Sequence, residues 1–127
     1  MPFSQEVLDN KAQYVKMKGR EIFKHAVRSM TDVCELALKT NNMTIDDVHW
    51  LIPHQANIRI LESVAKHFEF PLEKVIINIA NTGNTSAATV IIALDEAIRD
   101  GRIQRGQNVL LTAFGAGLTM GSVLLKY

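Results

Sequence analysis

The stretch that decides the fold is "VHWLIPHQANIRILESVAKHF", residues 48–68, because its periodicity changes halfway along. "VHWLIP" is a brief apolar run closed by a proline, and reads as a buried strand. From about Ala56 onward, Ile58, Leu61, Val64, Ala65 and Phe68 recur at helical spacing, and Pro71 blocks continuation of that helix. A strand feeding directly into a helix is the first part of a parallel crossover unit. At the junction stands His54, behind a proline that fixes the backbone ahead of it.

Working toward the N-terminus, residues 19–40 carry Ile22, Phe23, Ala26, Val27, Met30, Val33, Cys34, Ala37 and Leu38. That spacing predicts one long amphipathic helix. "AQYVKM", residues 12–17, reads as a short strand, residues 1–13 as irregular chain, and Thr44 as the cap of a short turn. Toward the C-terminus, "KVIINI" is β-branched and short, a second buried strand. "TSAATVIIALDEAIRDG" predicts a helix from Thr85, enclosed at its start and wet at its end, with Gly101 as its stop. "QNVLLTAF" and "MGSVLLKY" finish the chain as two strands, antiparallel across "GAGLT". The expected fold is a single layered α/β domain over 1–127, with a mostly parallel, five-stranded mixed sheet and helices on both faces.

Composition narrows the class. At 127 residues the chain holds one core and is too short for two ordinary domains. Hydrophobic residues at 47% against 21% charged place it among globular proteins, not disordered ones. A formal net charge of +1 supplies no field that would attract nucleic acid or an anionic membrane. The basic cluster of Arg99, Arg102 and Arg105 reads as a solvated helix end. One cysteine excludes an internal disulfide and, with no signal pattern and no apolar run near the roughly 20 residues of a membrane span, points to the cytoplasm.

In a mainly parallel sheet, ligands gather at the carboxyl ends of the strands. Three polar loops leave strands at that edge: His54 with Gln55 and Asn57, then Asn81 to Ser86, then Phe114 to Gly117. One strand-helix unit separates His54 from Asn84, so the two belong to neighbouring loops. Taken alone, a histidine after a strand is more often structural, and Asn84 after Gly83 reads first as a helix cap. A buried helix start beside them changes the balance, because its free N–H groups favour negative charge.

Other chemistries fit poorly. His49 and His54 face opposite ways along an extended strand, and there is no second thiol, so no metal site is expected. The glycines of "FGAGLTMG" follow a strand, but too little chain remains for the helix of a dinucleotide site. Cys34 sits in the apolar stripe of its helix and reads as core, which disfavours a hydrolase built on that thiol.

The segments "WLIPHQANIRI", "GNTSAAT", "ALDEAIRDGRI" and "LLTAFGAGLTMGSVLLKY" resemble the C-terminal half of β-ketoacyl-acyl-carrier-protein synthase III, a condensing-enzyme family of thiolase fold, over residues 14–127. The resemblance implies a Cys-His-Asn constellation in which the His is His54 and the Asn is Asn84. The nucleophilic cysteine of that constellation lies in an N-terminal half, to which Cys34 does not correspond. It implies an acyltransferase that moves an acyl primer, typically from acetyl-CoA, onto cysteine and condenses it with malonyl-acyl-carrier-protein, losing carbon dioxide. A neutral imidazole and a carboxamide aimed at the thioester oxygen would stabilise the enolate. By the same resemblance Gln55, Ala56, Asn57, Ile58 and Arg59 border the entrance for acyl carrier protein and its pantetheine arm. Asn57 would meet the arm and Arg59 the acidic carrier surface, with a solvated Arg59 as the plainer reading. Phe114 walls the reacting centre, and the backbone N–H of Ala116 contributes to an oxyanion hole. The loop departs from the family's commoner triple glycine at Ala116, and Thr82 replaces the aromatic or imidazole residue usual before "GN".

The partners implied are acyl carrier protein, coenzyme A thioesters, the N-terminal half and a second copy in a homodimer; no cofactor, nucleic acid or membrane is implied. The chain alone is expected to be inactive in condensation. An alternative is a module that binds carrier protein or pantetheine without chemistry. With the N-terminal half missing, the apolar helix from Thr85 is expected to be partly bare, and the chain to self-associate.

Overall fold

A computed structural model describes residues 4–14 and 17–127. It contains helices α1 (Gln5–Asp9), α2 (Gly19–Thr40), α3 (Ile58–His67), α4 (Ile79–Thr82) and α5 (Ala88–Arg99), and strands β1 (Trp50–Pro53), β2 (Asn108–Gly115) and β3 (Thr119–Lys126). Among the described residues the sheet has three strands in the order β1-β2-β3. β1 runs parallel to β2, pairing Trp50 with Val109 through Pro53 with Thr112. β2 and β3 form the expected antiparallel hairpin, from Asn108 with Lys126 to Gly115 with Thr119.

Each strand of the β1/β2 pair feeds two cores, because successive side chains point to opposite faces. Leu51 and Leu110 join a cluster with the α2 stripe of Ala26, Met30, Cys34 and Leu38 and with Ile60, Val64 and Ala65 of α3. Ile52, Val109 and Leu111 face the other way, onto Val90, Ala93 and Ala97 of α5 and onto Ile76. Helices therefore cover both faces, and the strands read as continuous apolar runs for that reason. Thr112 ties one layer to the other by donating from Oγ1 to the Met30 carbonyl of α2 at 3.2 Å.

Helix α2 begins and ends where its periodicity does. Thr44 caps a turn of 3₁₀ helix, Ile45–Asp47, as one half of a capping box with Asp47. Asn57 caps α3 by accepting the Arg59 N–H at 2.9 Å. Gly101 follows the end of α5 with φ +83°, a conformation that costs glycine nothing.

Five expectations change. Among the described residues the sheet has three strands, not five; it is mixed as expected, with one parallel and one antiparallel pairing. "KVIINI" forms only a bridge, Leu51 with Val75, and the Ile76 N–H donates to the Leu51 carbonyl at 2.9 Å before the chain turns into α4. In "AQYVKM", residues 12–14 form a turn and bend, while residues 15 and 16 lie outside the described residues. Residues 5–9, read as irregular, form α1, capped by Ser4 accepting the Val7 N–H. Finally, α5 starts at Ala88 rather than Thr85, and its start is not enclosed: Ile91 is 60% exposed.

Candidate functional site

A cavity of about 390 Å³ opens where the three polar loops meet, lined by His54 from the end of β1, by Ser86, Ala87 and Val90 at the head of α5, and by residues of the β2–β3 hairpin including Phe114 and Met120. The parallel pairing puts His54 there: its N–H donates to the Thr112 carbonyl at 2.8 Å, one step past the last register pair of β1 and β2. The imidazole Nδ1 lies 2.5 Å from Oγ1 of Thr89. Nε2 has no protein partner among the described residues. Partial burial holds the His54 pKa below the ordinary imidazole range, so the ring is predominantly neutral at pH 7. Phe114 stands on the cavity wall, half-buried against the α2 side of the sheet.

Asn84 is exposed and does not line this cavity; Ser86, two residues on, does. The Asn84 carboxamide oxygen accepts the Ser86 N–H at 2.9 Å, which leaves its NH₂ as the free donor end. Asn84 is therefore not the cap of α5, whose N-cap is Ala87. No hydrogen bond joins His54 to Asn84. Ala116 is exposed in the hairpin turn, with its carbonyl accepting from Thr119 Oγ1 at 3.1 Å; its neighbour Gly115 is the residue that reaches the cavity wall.

Of the five residues read as bordering an entrance, Asn57, Ile58 and Arg59 are exposed and Ala56 is partly so. Gln55 is a correction. It is fully buried, and its amide is consumed by the backbone: Nε2 donates to the carbonyls of Pro53 at 2.8 Å and Ile76 at 3.0 Å, and Oε1 accepts the Asn78 N–H at 3.0 Å. It braces the loop that carries His54. Asn57 likewise spends its oxygen on the α3 cap.

Two residues of this network escaped the sequence reading. Thr89 looked like one small residue in an apolar helix, yet it is completely buried, and a buried hydroxyl must find partners. Asn78 donates from Nδ2 to Glu96 at 2.8 Å and ties the bridge segment to α5. Their signal was the polar atom inside an apolar run. Cys34 is fully buried, and burial above all pushes its thiol pKa up, the reverse of what a nucleophile needs. Among the described residues no three His, Cys, Asp or Glu side chains are grouped to hold a metal ion, and no helix is long and apolar enough to cross a membrane.

The chain's residues 38–127 match the family model described as 3-oxoacyl-[acyl-carrier-protein (ACP)] synthase III C terminal. It is 56% identical over 113 residues to the β-ketoacyl-[acyl-carrier-protein] synthase III of Wolbachia pipientis from Culex pipiens, covering 89% of this chain and 36% of that protein. It is 54% identical over 114 residues to the synthase III of Sinorhizobium medicae, covering 90% and 35%. Among solved structures, the 3-oxoacyl-[acyl-carrier-protein] synthase III of Aquifex aeolicus superposes with TM-score 0.87 at 52% identity, over 90% of this chain and 37% of that one. The Pseudomonas aeruginosa synthase III superposes with TM-score 0.89 at 40% identity, over 100% and 40%. The chain thus spans a little over a third of the length of these relatives.

Proposed function

Because this chain belongs to the family of 3-oxoacyl-[acyl-carrier-protein] synthase III C-terminal regions, we propose that it is the half of a decarboxylating condensing enzyme that stabilises the enolate. In this reading a partner half carries the nucleophilic cysteine, which receives an acyl primer from a coenzyme A thioester. Malonyl on acyl carrier protein then loses carbon dioxide, and the electron pair of the broken C–C bond passes into the thioester as an enolate. The enolate carbon attacks the acyl-cysteine carbonyl, the C–S bond breaks, and the thiolate leaves.

The chemistry selects the residues. Charge appears on the thioester oxygen during decarboxylation, and hydrogen-bond donors aimed at that oxygen lower the barrier without being consumed. His54 and Asn84 are the proposed donors. A carboxamide donates strongly and cannot ionise, and the bond from Ser86 turns its NH₂ end outward. The tetrahedral intermediate of acyl transfer carries its own oxyanion, for which the Ala116 N–H in the hairpin turn is the proposed donor. Phe114 closes the apolar side of the site.

The observation that carries the proposal is the position of His54: a partly buried, predominantly neutral imidazole on the wall of a cavity at the carboxyl edge of the parallel strand pair. Convergence of Asn84 on the same target is the part that assembly with the other half must supply. Mixing this chain with the N-terminal half of a relative such as the Aquifex aeolicus protein tests the reading. Condensation should appear only in the mixture, and a chain that condenses alone would overturn it.

One feature favours a second reading, a carrier-protein binding module without chemistry: Asn57, Ile58 and Arg59 are already exposed at the head of α3. Tight binding of acyl carrier protein by this chain, lost in Arg59→Glu and with no turnover in the mixture, would select it.

A further inference from the structure

The chain has seven glycines, and at five of them a side chain would meet nothing within 4 Å: Gly19, Gly101, Gly106, Gly115 and Gly121. Gly83 and Gly117 differ, and each stands beside a proposed donor, Asn84 and Ala116. Gly117 has φ +144°, which by itself calls for glycine. Gly83 has φ −84° and ψ 147°, an ordinary extended conformation open to any residue. Its requirement is spatial. A methyl group there would stand 2.6 Å from the Ile79 carbonyl oxygen and 3.0 Å from the Ile79 Cα, and would strike the Ile79 side chain as well.

A side chain could turn aside, but a carbonyl oxygen moves only with its backbone. Ile79 opens α4, and that backbone is tied down. The Asn78 N–H just before it donates to buried Gln55 at 3.0 Å, and the Asn78 side chain donates to Glu96 of α5 at 2.8 Å. The Ile79 carbonyl itself accepts the Gly83 N–H at 2.9 Å. Beyond Gly83 the loop is fastened again. Asn84 Oδ1 accepts the Ser86 N–H at 2.9 Å, and the Ser86 carbonyl accepts from Thr89 Oγ1 at 3.0 Å. Ser86 then reaches the cavity that His54 lines.

We propose that Gly83 is the positioning residue of Asn84: its bare Cα lets the chain fold back against the start of α4, which fixes the base of the loop that carries the carboxamide. The inference rests on the reading of Asn84 as an enolate donor, and it adds the residue that places that donor. Ordinary contact begins near 3.4 Å, so relief of the 2.6 Å approach would displace the loop by the better part of an ångström. Misplacement of a reacting group by about 1 Å costs on the order of 10²-fold in rate. His54 sits on a different loop with its own brace, so the displacement falls on Asn84.

Two measurements test it. In this chain alone, hydrogen exchange of the Ser86 amide reports whether Asn84 Oδ1 still holds it. Gly83→Ala should speed that exchange several-fold, as Asn84→Ala does, and exchange at the wild-type rate overturns the proposal. In the chain reconstituted with a relative's N-terminal half, Gly83→Ala should slow carbon dioxide release from malonyl-acyl-carrier-protein by about 10-fold or more, while acyl transfer to the cysteine keeps its rate. Gly83→Ala combined with Asn84→Ala should be no slower than Asn84→Ala alone. Losses that multiply in full, or that fall equally on both steps, belong to a merely structural glycine and overturn the proposal. Where Gly83→Ala does not fold, Glu96→Ala loosens the same anchor through Asn78: faster Ser86 exchange supports the proposal, and unchanged exchange overturns it. The exchange measurement requires no turnover, so the two claims fail separately. Faster exchange in Gly83→Ala with a full rate in Asn84→Ala refutes the enolate role alone. A slowed Asn84→Ala with exchange unmoved by Gly83→Ala refutes the positioning role alone.

Discussion

The side-chain carbonyl of Gln55 accepts the backbone N–H of Asn78 at 3.0 Å, joining the loop after β1 to the segment that leads into α4 across 23 positions of sequence. The same side chain donates to Pro53 and Ile76. One glutamine therefore does the work of the ladder that a full strand at residues 74–79 would have supplied.

Replacing it is expensive. Gln55→Ala leaves two buried carbonyls and one buried N–H without partners, at about 1–3 kcal/mol for each group that water cannot reach. The expected outcome is a loss of roughly 3 kcal/mol or more in the free energy of urea unfolding. A midpoint unchanged from wild type would show that the amide is not a brace.

His54 sets a pH dependence whose sign follows from burial. Its folded pKa lies below the unfolded value of about 6.5, so as pH falls through that value the unfolded chain takes up a proton that the folded chain refuses. The contribution is complete above the unfolded pKa and is lost on acidification toward the folded pKa. Urea midpoints between pH 7 and pH 5 should fall more steeply for wild type than for His54→Asn. Equal slopes would contradict the burial of the ring.

Ile91 of α5 is 60% exposed, and Leu118, Met120 and Val123 of the hairpin are 50%, 40% and 55% exposed. Apolar surface of this kind, left uncovered by the chain's own residues, drives association. Light scattering should report a mass above one chain that rises with concentration, and Ile91→Glu should lower it. A monodisperse monomer at high concentration in both would count against the account.

The legible part of the fold was the part with a period. Stripes at 3–4 spacing located α2, α3 and the body of α5, because a helix must bury one side along its whole length. β1, β2 and β3 were legible from short apolar runs with turn chemistry between them. The strand read at 74–79 failed for a physical reason. β-branched residues signal an extended buried backbone, but pairing depends on a neighbour far away in sequence, and Val75 forms an isolated bridge to Leu51 instead of a ladder. The enclosure expected at the head of α5 failed similarly, since apolar residues show that cover is needed without showing that this chain provides it.

In the site, proline, turn chemistry and strand polarity were enough to place His54 at a cavity. The partners of polar atoms were not legible. Gln55, read as a rim residue, is satisfied by carbonyls inside the fold, and Thr89, which touches His54, carried only the signal of a hydroxyl among apolar neighbours. Which hydrogen bond a side chain makes is decided by tertiary packing, and sequence spacing does not contain it.

The central claim is that this chain supplies the enolate-stabilising donors of a condensing enzyme. Decarboxylation of malonyl-acyl-carrier-protein, measured as carbon dioxide released by the chain reconstituted with a relative's N-terminal half, tests it most directly. His54→Ala and Asn84→Ala, each folded and paired like wild type, should each slow release by about 10²–10³-fold, the usual effect of removing one oxyanion donor. Release at the wild-type rate from either properly assembled variant would contradict the role given to that residue, and from both would end the account.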